Sequence, residues 1–165
     1  MPVRPSRLWK DLSIDGRLPL AEAFWRESDD ADVQMQHMEA TAALARRLNF
    51  RVKSVMALPI ERRAKYLAQM ADVSETVATR ALIAYHLAAK RPLMGAFLDA
   101  LGIVHEDGVI TTEEVPKPDA AQLKKGVEAI RAAYPAADVD LYLRTLEIID
   151  GDTWGEIHSF LPASP

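Results

Sequence analysis

Apolar residues along this chain recur mostly three and four positions apart, the period of a helix that buries one face. The first such stretch covers residues 19–26, with Leu20, Phe24 and Trp25 on one side. Ser28 reads as a helix-terminus residue, and Asp29, Asp30 and Asp32 crowd the positive end of a longer helix, where carboxylates are favoured. Val33, Ala40, Leu44 and Leu48 form the inward stripe of that helix and carry it to about residue 48. A short segment over 50–58 leads to Pro59, which opens a helix over 60–70. Asp72 and Glu75 stand at capping-box spacing and start a helix over about 73–90. Its face of Val77, Ala81, Ala84 and Ala88 is small enough for close approach. Pro92 stops that helix and begins another over 93–101, with Met94, Phe97, Leu98 and Leu101 inward and Gly102 as its end.

The period breaks at residues 103–112, where Asp107-Gly108 lies between two β-branched runs, a strong hairpin signal. A small two-stranded flap is expected there. Residues 111–118 hold two prolines and two glutamates without apolar period and read as a connector. Asp119 and Gln122 form a second capping-box pair ahead of Leu123, Val127, Ile130 and Tyr134. Pro135 ends that helix. The next one carries Val139, Leu143 and Leu146 and stops near Gly151, after which Asp152 can cap a last turn with Trp154, Ile157 and Phe160.

Composition sharpens this picture. Alanine supplies 26 of 165 residues and glycine 7, and nearly every Gly and Pro falls between periodic segments. The fold class expected is therefore all-α: a single globular helical domain of about eight or nine helices over residues 16–165, with one β-hairpin at about 103–112. Residues 1–15 form an N-terminal arm, and the connector at 111–118 is the place for a sub-boundary. The tail after it is too short to hold a core comfortably alone. The absence of cysteine excludes disulfides, thiolate metal sites and thiol nucleophiles. No segment has the length and apolarity of a secretory signal or a membrane span, so a cytoplasmic protein with no membrane partner is expected.

The net charge of −4 conceals a division. Residues 1–98 hold 15 basic and 11 acidic side chains, net +4, whereas residues 99–165 hold 5 and 13, net −8. Much of the positive charge is concentrated in Arg46, Arg47, Arg51, Lys53, Arg62, Arg63 and Lys65, against Glu61 alone. Such a cluster suits a phosphate backbone, a nucleotide or an acidic protein surface, and otherwise is a solvated face whose stems cover apolar surface.

Next to it, Leu67-Ala68, Ala71-Asp72-Val73-Ser74 and Thr76-Val77 resemble the "V-A-x-x-A-G-V-S-x-x-T-V" pattern of the DNA-binding helix-turn-helix. The resemblance covers residues 65–82 and implies that Ser74, Glu75, Thr79 and Arg80 face a groove. Two departures stand out: Asp72 occupies the turn-glycine position, and Thr76-Val77 come one residue early.

Catalytic motifs are missing. The glycines are isolated, so there is no P-loop or dinucleotide fingerprint, and no serine lies in a Gly-x-Ser-x-Gly elbow. No histidine has His, Asp or Glu three or four residues away, and no metal site or cofactor is expected. His37 lies on an inward stripe and reads as a hydrogen-bonded core residue. His86 lies on the polar face of its helix. If His105 on the flap folded over it, the two would be the place for acid–base chemistry.

The leading expectation is a non-enzymatic helical module that binds a macromolecular partner, through a protein contact or self-association. The binding residues are then Arg46, Arg47, Arg51, Lys53, Arg62, Arg63, Lys65, Thr79 and Arg80. One alternative is a helix-turn-helix DNA-binding regulator that uses residues 65–82 with the basic segment 46–65. Another is a small-molecule or metal-dependent enzyme with a site near His86 and His105.

Overall fold

A computed structural model describes residues 2–27 and 30–162; Ser28 and Asp29 lie outside it. The described residues are 74% helical, with ten α-helices and a single two-stranded antiparallel hairpin. By its internal contacts the chain divides into two compact units, Arg4–Tyr85 and a second unit from His86 onward that includes residues 2–3.

The Arg4–Tyr85 unit contains α1 (Pro5–Asp11), α2 (Ile14–Arg26), α3 (Ala31–Leu48), α4 (Val52–Met56), α5 (Ile60–Gln69) and most of α6 (Glu75–Ala89). α2 packs on α5, and α3 packs on both α4 and α5. Trp9, Leu20, Phe24, Leu44, Leu67 and Leu82 are among its most deeply buried side chains.

Several local expectations need correction here. The segment 1–15, expected as an arm, contains α1, with Trp9 fully buried and its Nε1 donating to Met70 O at 2.7 Å. The helix expected over 19–26 begins at Ile14, because Ser13 Oγ accepts the Gly16 amide and caps it six residues before Pro19. Pro19 removes one backbone donor, which the burial of Leu20, Ala21, Phe24 and Trp25 outweighs. At α6 the cap is Ser74, whose Oγ accepts from Val77 N at 3.2 Å, and not Asp72. Asp72 is turned outward and meets Lys10 at 3.1 Å.

The second unit contains α7 (Arg91–Leu101), β1 (His105–Glu106), β2 (Val109–Ile110), α8 (Ala120–Ala133), α9 (Ala136–Ile149), α10 (Gly151–Trp154) and a 3₁₀ helix over Gly155–Phe160. Its core joins Leu93, Phe97 and Leu101 of α7 to Leu123 and Ile130 of α8 and Leu143 of α9. The short C-terminal tail therefore shares its core with α7. The hairpin pairs His105 with Ile110 and Glu106 with Val109. Asp107 at φ 50° and Gly108 at φ 86° give both turn residues the left-handed backbone that such a two-residue loop needs. Asp119 and Gln122 form the expected capping box of α8. The last turn is capped by Asp150, not Asp152: Asp150 accepts from the amide and hydroxyl of Thr153.

Candidate functional site

The basic segment lies on α3, α4 and α5 and is largely exposed. Arg46 and Arg47 end α3, Arg51 precedes α4, Lys53 lies within it, and Arg62, Arg63 and Lys65 lie on α5. Their positions follow from the apolar residues between them. Leu44 and Ala45 turn inward from α3, Val55 from α4, and Ala64, Leu67 and Ala68 from α5, so the cations on the other sides of these helices meet solvent. Arg46, Arg47, Arg51, Lys53, Arg62 and Lys65 are exposed, and among the described residues none of them forms an ion pair.

Glu61, the one acid in the segment, is paired elsewhere, with Arg26 Nη2 3.3 Å from its carboxylate. Its own backbone amide, helped by Arg26, holds that carboxyl below the usual range. The cations thus keep their charge available. Phe50, Val52 and Met56 are exposed among them, and Met35 and Met38 are exposed further back on α3.

Beside this surface is a cleft of about 560 Å³ lined by Arg46 and Arg47 and by Met70, Asp72, Val73 and Ser74 of the turn between α5 and α6. Arg47 Nη2 reaches Gln69 O at 3.4 Å.

Two of the expected binding cations are structural. Arg63 lies over the Trp25 ring, 5.1 Å from its centroid, and its Nε donates to Leu58 O at 3.1 Å. Arg80 Nε meets Glu27 Oε1 at 2.8 Å, with both side chains largely buried. Burial raises the Glu27 carboxyl above its ordinary value, and Arg80 opposes that shift. Thr79 is half-buried beside Gln36 and Ile83.

The segment 65–82 does form two helices joined by a turn, but its residues have other partners than the resemblance implies. Ala68 is buried, yet α5 packs on α2. Glu75 receives the hydroxyl and amide of Ser6 from α1, and Thr76 Oγ1 donates to Glu39 of α3 at 2.9 Å. The start of α6, which the motif would send into a groove, is held by α1 and α3.

The histidines also separate. His86 is 3% exposed, contrary to its expected place on a polar face, and its ring lies 5.6 Å from that of Tyr142. Its helix is apolar on more than one side, so the direction opposite Val77 is buried too. His105 Nδ1 accepts the Gly108 amide at 3.0 Å, so the proton is on Nε2, which donates to Asp99 at 2.7 Å. Each ring has its own partners. His37 Nε2 meets Phe24 O at 2.6 Å, with the ring against Phe24 and Trp25, as a core histidine does. Among the described residues no three His, Asp or Glu side chains are grouped to hold a metal ion.

A pair that the sequence did not single out is Glu147 with His158. Glu147 is 4% exposed and its Oε1 lies 3.1 Å from His158 Nδ1. The available signal was a carboxylate in register with Val139 and Leu143, at the spacing of an inward stripe.

Compared with known proteins, the chain matches no family model, and no curated protein and no solved structure is significantly similar to it. Among the described residues no helix is long and apolar enough to cross a membrane.

Proposed function

We propose that the protein is a non-enzymatic helical module that binds an acidic protein surface, in a cytoplasmic setting, through the exposed side chains of residues 46–65. The observation that carries this reading is the interleaving of unpaired cations with exposed apolar groups: Arg46, Arg51, Lys53 and Arg62 with Phe50, Val52 and Met56. A phosphate backbone calls for positive charge and reach, with no apolar component. An acidic amphipathic segment calls for both, charge for steering and apolar contact for holding. The intramolecular partners of Glu75, Thr76 and Arg80 further favour a protein over a DNA groove.

The test is fluorescence anisotropy with three labelled probes at low and moderate salt: an acidic amphipathic peptide, an oligoglutamate of equal charge, and a random-sequence DNA duplex. The amphipathic peptide is expected to bind best, and to weaken severalfold in both a Phe50→Ser/Met56→Ser and an Arg51→Ala/Arg62→Ala variant. DNA binding with a steep salt slope, indifferent to Phe50 and Met56, would replace this reading with the nucleic-acid one. Failure of all three probes to bind at low salt would remove it.

A further inference from the structure

The cleft formed by α3, α5 and the start of α6 lies within the Arg4–Tyr85 unit, and its volume of about 560 Å³ falls in the range of about 300–1,000 Å³ usual for small-molecule sites. Ala40, Leu67 and Val77 line it with almost no surface left to solvent, and Ala43, Met70 and Val73 are half-buried around them. Along the α3 wall Glu39 stands at one end, and Arg46 follows two turns later, about 10 Å away, with Arg47 beside it. The two acids of the lining are engaged within the unit: Glu39 accepts the Thr76 hydroxyl at 2.9 Å, and Asp72 pairs with Lys10 at 3.1 Å. Arg46 and Arg47 are exposed and form no ion pair among the described residues; Arg47 Nη2 reaches Gln69 O at 3.4 Å.

An apolar cleft with two unpaired guanidinium groups at one end suits an apolar body that carries an anion. A carboxylate matches the planar guanidinium fork. Glu39 and Asp72 on the same lining oppose a more highly charged group such as a phosphate monoester. We infer that this cleft binds a small apolar monocarboxylate, with the carboxylate received by Arg46 and Arg47 and the body lying on Ala40, Ala43, Leu67 and Val77. Outside the described residues the one carboxylate side chain is Asp29. It is bonded to Asp30, the N-cap of α3, which precedes Arg46 by about 24 Å of helix, so it cannot reach the arginines.

The site is tested on the full chain by NMR, following the Ala40, Ala43 and Val77 methyl groups during titration with 3-phenylpropionate, 3-phenylpropan-1-ol, acetate and 2-phenylethyl phosphate. Saturable shifts are expected with 3-phenylpropionate, severalfold weaker binding with the alcohol and the phosphate, and no saturation with acetate. Arg46→Gln/Arg47→Gln is expected to weaken the acid severalfold. Ala43→Phe is expected to fill the cleft and abolish binding with both arginines in place. The inference does not rest on the protein-binding reading, because Phe50 and Met56 do not line the cleft, and Phe50→Ser/Met56→Ser is expected to bind the acid unchanged. Equal binding of the alcohol, tighter binding of the phosphate, or unchanged binding in both the arginine and Ala43→Phe variants would overturn the inference. So would binding that appears only after residues 163–165 are removed, which would assign the arginines to the chain itself.

Discussion

Gly126 of α8 lies so close to Leu101 of α7 that a Cβ added to it would come within 2.9 Å of Leu101 Cδ2 and 3.0 Å of Phe97 Cε1. Both neighbours are core side chains with little room to move. Alanine at an ordinary helical position would gain about 1 kcal/mol over glycine. Overpacking at a tight interface costs about 1–3 kcal/mol. Gly126→Ala is therefore expected to lower stability by about 1 kcal/mol on balance, read from urea unfolding. A stabilised variant would mean that α7 and α8 can separate at no cost.

Arg17 is buried and forms no ion pair among the described residues, and its guanidinium donates to three backbone carbonyls: Nε to Trp9 O at 2.9 Å, Nη2 to Lys10 O at 2.8 Å and Nη1 to Ala68 O at 3.1 Å. Two of these oxygens lie at the end of α1 and one at the end of α5, where helix dipoles favour a cation. A lysine ammonium on a flexible stem cannot reproduce the planar fork. Arg17→Lys is expected to lose about 2–3 kcal/mol and Arg17→Met about as much or more, since both leave buried carbonyls unmatched. Thermal unfolding measures it; a lysine variant as stable as the parent would refute the fork.

How far the sequence reaches follows from these residues. The Asp107-Gly108 turn and the Asp119 capping box come from signals a few residues long and have their expected places, whereas α2 starts at Ile14, five residues before the start its apolar period suggested. α1 has only seven residues and two buried side chains, too short a pattern to detect by period. Nothing local to Arg17 says that it turns inward, because its three acceptors are carbonyls at two separate helix ends. The basic surface was legible as charge, but the burial of Arg63 and Arg80 was not, because Trp25 and Glu27 lie far from them in the sequence. Glu147 and His158 are brought together by the tight turn of α10 that follows α9.

The basic cluster divides by stability as well as by position. Arg62→Ala and Lys65→Ala remove exposed, unpaired charges and are expected to change stability by no more than about 0.5 kcal/mol. Arg63→Ala loses both its contact with Trp25 and its bond to Leu58 O, and is expected to cost about 1–2 kcal/mol. Equal effects at positions 62 and 63 in chemical denaturation would contradict this assignment of Arg63.

Tyr142 lies in the core of the second unit, edge-on to Phe97 at 5.7 Å, and burial raises its phenol well above the ordinary value of 10.0. The phenol is neutral below that value in both folded and unfolded chains, so its contribution is unchanged there. Above it the unfolded chain ionises while the folded one does not, and stability falls by about 1.4 kcal/mol for each further pH unit until the folded phenol also ionises. Alkaline unfolding is thus expected to release a phenolate absorbance step together with the loss of near-ultraviolet dichroism. Tyr142→Phe removes the linked proton and is expected to move the alkaline midpoint upward, with little change in stability near neutral pH. An unshifted midpoint, or phenolate formation by Tyr142 while the fold remains intact, would show that solvent reaches this hydroxyl in the folded chain.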